Sequence, residues 1–95
     1  VIVDMGVLLG RKPSAEVPAG AKSVKLEDPT RTISRNHAAI SFDQDGTLWI
    51  EDYGSLNGTY IILDDVETKV EHKPMQLEAP CTVRIGDQFF QFRKQ

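Results

Sequence analysis

The stretch ISFDQDGTLWIEDY, residues 40–53, decides the fold of this chain. On its first arm Ile40 and Phe42 are each followed by a polar residue, and this period of two is that of a β-strand rather than a helix. Between the two arms lies Asp45-Gly46, a pair that readily supplies the positive φ angles of a two-residue turn. We therefore predict a β-hairpin with Asp45-Gly46 at its tip.

Similar short alternating segments occur on both sides of this hairpin. They predict strands at Val7–Leu9, Ser23–Leu26, Thr59–Leu63, Thr68–Glu71, Thr82–Ile85 and Gln88–Arg93. No window of helical length shows an apolar stripe bounded by caps, and prolines interrupt what remains. Many short strands at close spacing are typical of a sandwich. We predict an all-β fold, a sandwich of two packed antiparallel sheets whose loops at one end form a binding surface. The non-periodic segment Lys12–Ala21 is predicted to be a mobile loop.

The composition bounds what such a chain can do. Its 95 residues fit a single domain, residues 1–95, and the start at Val1 rather than Met indicates a piece excised from a longer protein. Cys81 is the only cysteine, so an internal disulfide is impossible and no thiol pair can hold a metal. We expect neither a metal nor a cofactor. The first residues, VIVDMG, lack the basic start and apolar stretch of a secretory signal, and no apolar run approaches about 20 residues. We therefore expect a cytoplasmic location without membrane contact.

The charge is unevenly distributed. The net charge of −3 argues against binding to nucleic acid, whose affinity comes from many Lys and Arg contacts to phosphates. Residues 1–37 nevertheless hold six basic and four acidic residues, whereas residues 38–95 hold five basic and ten acidic ones. A local cationic face on an acidic domain suits one anionic group better than a polyanion.

Three polar clusters stand at the ends of predicted strands. They are Gly10-Arg11, Ser34-Arg35-Asn36-His37 and Asn57-Gly58-Thr59. Loops at one end of a sandwich can converge in space although they lie far apart in sequence. Taken singly, Asn57-Gly58 is more often a simple hairpin turn, but the ordered set of three is far more specific.

Together the clusters resemble the forkhead-associated (FHA) family, whose signature is Gly-Arg, then Ser-x-x-His, then Asn-Gly. The resemblance extends over essentially the whole chain, because Cys81–Phe92 also looks like the family's final hairpin. One departure is the long stretch from Arg11 to Ser34, which looks expanded relative to the family. The resemblance implies a signalling module that binds threonine-phosphorylated protein segments and catalyses no reaction.

The resemblance assigns the phosphothreonine contacts to Arg11, Ser34, Arg35 and Asn57. A phosphate carrying about −1.5 to −2 charges at pH 7 is well matched by a planar guanidinium and hydrogen-bond donors, which Arg11 and Ser34 provide. Arg35 adds a second positive charge. Asn57 resembles the family residue that grips the main chain of the ligand.

Other positions are assigned to support and to selectivity. Gly10, His37 and Gly58 resemble scaffold positions, with Gly10 allowing a tight backbone approach and His37 holding Ser34 in place. Selectivity for the residues around the phosphothreonine is expected from a variable rim comprising Thr32, Tyr53, Ser55 and Leu56.

Two other functions remain open. The sandwich could be a phosphate-independent interaction or oligomerisation module, which would bind unphosphorylated partners equally well. An enzyme would need a nucleophile and a base, for which Ser34 with His37 is the only superficial pair. The favoured partner is a threonine-phosphorylated protein segment, in another protein or in the same one, produced by a Ser/Thr kinase pathway.

Overall fold

A computed structural model describes residues 2–3, 6–14, 21–71, 73–78 and 80–94. In this part of the chain the strands are β1 (Ile2–Val3), β2 (Gly6–Gly10), β3 (Ala21–Lys25), β4 (Ala38–Phe42), β5 (Leu48–Asp52), β6 (Thr59–Leu63), β7 (Val66–Lys69), β8 (Met75–Leu77), β9 (Cys81–Ile85) and β10 (Gln88–Lys94). The same residues contain no helix, and so none that could span a membrane. Most of the loop predicted at Lys12–Ala21 lies outside the described residues.

The strands form two five-stranded sheets. One has the order β1-β10-β9-β6-β7 and the other the order β3-β2-β4-β5-β8. The predicted all-β sandwich is therefore confirmed. We predicted two antiparallel sheets, but the pairings β2–β3 and β1–β10 are parallel. Parallel neighbours need a crossover connection, and alternation within single strands gives no information about strand direction.

The hairpin at residues 40–53 forms, but not with the two-residue turn that we predicted. Asp43 and Thr47 close the loop through an N···O hydrogen bond of 3.0 Å, and Gly46 N donates to Asp43 O at 3.1 Å. Only Gly46 within the loop has a positive φ, of 80°. The result is a three-residue loop ending in a left-handed glycine, a common hairpin alternative. The Asp43 carboxylate favours it by accepting hydrogen bonds from the Thr47 amide and the Trp49 indole, at 3.0 and 2.9 Å.

The core lies between the sheets and is made of the inward residues of the alternating strands. It includes Val7, Leu9, Ile40, Ile50, Val83, Ile85 and Phe92, all at most 1% exposed. On β10 the side chains alternate between core and surface, so that Phe92 is buried whereas Phe89 is 62% exposed. This core fixes the strands whose ends carry the polar clusters.

Hydrogen bonds between loops draw those strand ends together. His37 N donates to Leu9 O at 2.8 Å, which extends the β2–β4 pairing beyond the strands themselves. Gly86 N donates to Gly58 O at 3.1 Å, which ties the β9–β10 turn to the loop before β6. Loops that connect both sheets therefore meet at one end of the sandwich.

Candidate functional site

An open cleft of about 820 Å³ occupies this end of the sandwich. It is lined by Arg11, Asp28, Arg31, Thr32, Ile33, Ser34, Arg35, Leu56 and Asn57. The structure thus brings together the four predicted contact residues, together with Thr32 and Leu56 of the predicted rim. Tyr53 and Ser55, also predicted for the rim, lie outside the lining of this cleft.

Gly10 lets two backbone segments approach closely at the base of the cleft. A Cβ at this position would overlap the carbonyl oxygen of Arg35 and stand 2.6 Å from its carbonyl carbon. Real Cβ contacts are not that short. The approach allows Arg11 N to donate to Ser34 O at 3.0 Å, which sets the two predicted phosphate contacts side by side.

The guanidinium of Arg11 is anchored through one of its three nitrogens. Its Nε–H donates to Ile33 O at 3.3 Å. This bond orients the planar group and uses only one of its five N–H donors. An exposed, oriented fork of this kind is suited to an anion with two oxygens in one plane.

Ser34 is held by His37. The Ser34 amide donates to His37 Nδ1 at 2.9 Å, and His37 Nε2 lies 2.8 Å from Gly58 O. Because a carbonyl only accepts, Nε2 carries the proton and Nδ1 is the acceptor, so one neutral tautomer satisfies both bonds. Burial lowers the pKa of His37, and it outweighs the opposite effects of the Gly58 carbonyl and the Asp52 carboxylate.

The Ser34 hydroxyl is oriented by a neighbouring loop. Its oxygen accepts a hydrogen bond from Leu56 N at 3.2 Å. A hydroxyl that accepts in this way still has its own proton to donate. With both nitrogens of His37 engaged by backbone groups, the imidazole is not placed as a base toward this hydroxyl, which argues against a catalytic pair.

Asn57 and Gly58 bridge the two loops that border the cleft. The Asn57 side-chain amide donates to Thr32 O at 2.9 Å. Gly58 has a φ of 84°, and a Cβ there would lie 3.0 to 3.2 Å from atoms of the Tyr60 side chain. The side-chain oxygen of Asn57 is an acceptor that a ligand amide could reach.

Asp28 organises the loop before Ser34, a role that sequence reasoning missed. Its carboxylate accepts hydrogen bonds from Thr32 N at 3.0 Å and Ile33 N at 2.9 Å. Partial desolvation raises the pKa of Asp28, but these amides together with Thr30 and Arg31 outweigh it and lower the pKa. Aspartate followed by proline is a turn signal that could have identified it.

A second missed group, Asp52, supports the loop that carries Asn57. It accepts hydrogen bonds from the hydroxyls of Ser55 at 2.6 Å and of buried Thr59 at 2.7 Å. Desolvation raises the pKa of Asp52, but these hydrogen bonds outweigh it and lower the pKa. Ser55 Oγ also accepts from Gly58 N at 3.0 Å, so this serine is placed to support the loop.

The turn between β9 and β10 braces the far side of the cleft. Asp87 N donates to Thr32 Oγ1 at 2.7 Å. Gly86, with a φ of 60°, packs so closely that a Cβ would lie 2.5 Å from Thr32 O. The hydroxyl of Thr32 therefore helps to hold the β9–β10 turn against the cleft. No local sequence pattern links Thr32 to Gly86 and Asp87, because they lie far apart in the chain.

The cleft is electropositive. Arg11, Arg31 and Arg35 line it, with Asp28 as the single carboxylate among the lining residues. Arg31 was not predicted, and it adopts a left-handed φ of 58°. Because Asp28 is engaged by backbone amides, three guanidinium groups face an open space whose most suitable occupant is an anion.

Comparisons with known proteins agree with this geometry. A family model described as FHA domain matches residues 7–86. The FHA domain of the CT664 protein from Chlamydia trachomatis is 29% identical, with 90% of this chain and 72% of that chain covered at a TM-score of 0.67. Mycobacterium tuberculosis Rv1747 FHA-1 is 30% identical over 85% of this chain and 66% of that chain, with a TM-score of 0.54. The MEK1 FHA domain in complex with a phosphothreonine peptide of HOP1 is 27% identical over 88% and 76% of the two chains, with a TM-score of 0.56.

Proposed function

Since this chain belongs to the FHA domain family, we propose that its cleft binds a phosphothreonine in a segment of a partner protein and catalyses no reaction. The observation that carries the proposal is the side-by-side arrangement of Arg11 and Ser34, whose backbones are joined by a 3.0 Å hydrogen bond. Each of the two side chains is already oriented by one bond to the protein. Both residues line the same cleft, and in this proposal their remaining donors bind one phosphate group.

The donors match the chemistry of a phosphomonoester. In this proposal the two terminal amino groups of Arg11 bind two phosphate oxygens, and the Ser34 hydroxyl donates to the third. Arg35 and Arg31 line the same cleft and add positive charge. Charge-assisted bonds to a preoriented guanidinium are about twice as strong as neutral ones, and orientation reduces the entropy lost on binding.

Asn57 sets the register of the ligand. Its amide nitrogen is fixed on Thr32 O, so its carbonyl oxygen is held in place at the cleft. An acceptor in that position would bind a main-chain N–H next to the phosphothreonine. Leu56, which is 89% exposed, and half-buried Thr32 border the cleft and would contact the flanking side chains. The partner would be the product of a Ser/Thr kinase pathway, in another protein or in the same one.

The test is calorimetric titration with a degenerate phosphothreonine peptide library and with the same library unphosphorylated. We expect binding only to the phosphorylated library, and a loss of at least about 2 kcal/mol in the Arg11→Ala variant, since one side of a charge pair is removed. Arg11→Lys keeps the charge without the fork and should lie in between. Arg93→Ala, on β10 in the opposite sheet, is the matched control for loss of one charge. Equal binding of both libraries would instead favour the phosphate-independent interaction module.

Binding should also depend on pH. The second pKa of a phosphomonoester is near 6, so the dianion is replaced by the monoanion as the pH falls through that region. Affinity should therefore decrease between pH 7.5 and 5. A peptide with glutamate in place of phosphothreonine serves as the control, and an unchanged affinity of the phosphopeptide over this interval would contradict the mechanism.

A further inference from the structure

We propose that this domain binds a second anionic group on its ligand, in a cationic pocket next to the phosphothreonine cleft. The inference rests on the proposed function and extends it to the class of ligand. The pocket has a volume of about 560 Å³ and is lined by Arg11, Lys12, Pro13, Ser23 and Lys25. Arg11 lines both this pocket and the cleft, so the two spaces are neighbours.

The position of the pocket follows from the register of two strands. Strands β2 and β3 pair in parallel with Gly10 opposite Lys25 and Leu8 opposite Ser23. Leu9 is buried in the core, so Leu8 and Gly10 belong to the outer face of the sheet, and Ser23 and Lys25 lie on that face with them. Lys25 is thereby placed beside the point where the chain leaves β2 and turns toward the cleft.

The other wall is a backbone segment that is tied down at both ends. Lys12 N donates to Arg35 O at 3.4 Å, and Ser14 N donates to the Asn36 side chain at 2.9 Å. The Ser23 hydroxyl donates to the carbonyl of Ser14. Lys12 and Lys25 are thus carried by backbone that is fixed relative to Arg11, so the pocket exists before any ligand arrives.

The balance of charge calls for more than one anion. Arg11, Arg31 and Arg35 line the cleft, and Lys12 and Lys25 add two positive charges in the pocket. Asp28 is the single carboxylate among the residues lining the two spaces, and backbone amides occupy it. A phosphothreonine of about −2 charges leaves a surplus of positive charge on the side of Arg11 that faces the pocket.

The second group is an anion on the same peptide, either the carboxylate of an acidic residue or a second phosphate. Both satisfy lysine ammonium groups, which act as point charges and demand no particular acceptor geometry. The pocket lies beyond Arg11 as seen from the cleft, so the second anion belongs to a residue near the phosphothreonine and not to the phosphothreonine itself.

The experiment measures affinities for phosphopeptides built on one neutral sequence. The first arm has the single phosphothreonine. The second places one glutamate at each flanking position in turn, and the third places a second phosphothreonine at the same positions. We expect one position at which the second anion raises affinity about 2- to 5-fold, as for exposed charge pairs. A gain with both groups identifies general anion binding, and a gain with phosphate alone identifies a doubly phosphorylated ligand.

Variants separate the pocket from the cleft. The double variant K12A/K25A should bind the singly phosphorylated peptide nearly as well as the wild type and lose the gain from the second anion. The single variants should each lose part of it. Arg93→Ala removes one charge in the opposite sheet and should keep the gain. Thermal unfolding of each variant verifies that it is folded, and K12Q/K25Q repeats the test with longer side chains.

The outcomes distinguish this inference from the proposed function. If the singly phosphorylated peptide binds and no second anion at any position improves its affinity, the pocket is not a binding site although the cleft is. A gain that persists in K12A/K25A, or that disappears equally in Arg93→Ala, would show general charge attraction and overturn the proposal. If no phosphorylated peptide binds, the proposed function itself fails.

Discussion

Replacing Gly10 by alanine tests how the site is assembled. The new Cβ would overlap the carbonyl oxygen of Arg35 and stand 2.6 Å from its carbonyl carbon, whereas ordinary contacts begin at 3.4 Å. Clearing the carbonyl carbon alone requires a separation of 0.8 Å, the difference between these two distances, and clearing the oxygen requires more. That shift strains the hydrogen bond of 3.0 Å between Arg11 N and Ser34 O, on which the relative placement of those two side chains depends.

The cost can be approximated from two contributions. Overpacking against rigid backbone costs about 1 to 3 kcal/mol, and each weakened hydrogen bond about 0.5 to 1.5 kcal/mol. We expect a total of about 1.5 to 4.5 kcal/mol, out of a stability of about 5 to 15 kcal/mol typical of domains. In a domain of this size that corresponds to a decrease in Tm of roughly 6 to 36 °C.

Gly6→Ala is the matched control, because Gly6 lies at the other end of the same strand. A Cβ there would lie 3.4 Å from the Cβ of Ala21 and 3.6 Å from the carbonyl oxygen of Ile40, and both are ordinary contacts. The assay is urea and thermal unfolding of both variants, followed by phosphopeptide titration at a temperature where each is folded. Gly10→Ala should also bind at least tenfold more weakly than Gly6→Ala. If Gly10→Ala were as stable as Gly6→Ala and bound equally well, the close approach at Gly10 would not be what aligns Arg11 with Ser34.

Three further changes have distinct expected outcomes. The free energy of unfolding should decrease as the pH falls below 6.5, by at most about 1.4 kcal/mol per pH unit. The reason is that burial lowers the pKa of His37 in the folded state, so the unfolded chain takes up a proton first. Urea unfolding across this range should show that slope in the wild type and a smaller slope in His37→Gln. Gly46→Ala at the hairpin tip, where φ is 80° and a Cβ meets nothing within 4 Å, should cost about 1 to 2 kcal/mol from backbone strain alone and leave binding unchanged in the same titrations. Glu67→Gln breaks a bidentate ion pair with Arg84 on the outer face of the sheet, whose two N···O distances are 2.9 and 3.2 Å. Thermal unfolding should show a loss of stability of less than about 1 kcal/mol. A larger loss would show that this exposed pair is unusually strong.

The alternation of apolar and polar residues, together with the turn residues, predicted most of the strands. It did not predict the directions of the strands or the two shortest strands. The predicted strand at Thr59–Leu63 has those bounds in the structure, and the ends of the other predicted strands differ from the observed ends by at most two residues. Strands β1 and β8, with two and three residues, are too short to show a period of two. The prediction of a two-residue turn at Asp45-Gly46 was wrong because the Asp43 carboxylate stabilises a longer loop. The preference of an Asp-Gly pair for tight turns does not include this effect of a neighbouring side chain.

The residues of the site were easier to predict than the network that supports them. Ordered short motifs identified Arg11 and Ser34, and the structure places both at one cleft. Asp28 and Asp52 were missed because their role is to accept backbone and hydroxyl hydrogen bonds inside loops, and isolated aspartates in loops are common. Gly86 was missed because its partner, Thr32, is distant in the sequence.

The position of His37 shows that the spacing within Ser34-x-x-His37 is set by the loop and not by a ligand. The His37 ring reaches back three residues to accept a hydrogen bond from the Ser34 amide, which closes the loop locally. The same ring donates a hydrogen bond to Gly58 O in the loop before β6. Only one neutral tautomer can make both bonds. Ser34 and the Asn57-Gly58 loop are therefore positioned together, through a residue that is completely buried and cannot touch the ligand. It follows that the histidine and glycine of this pattern report on the architecture of the loops, whereas the proposed phosphate binding is tested at Arg11 and Ser34.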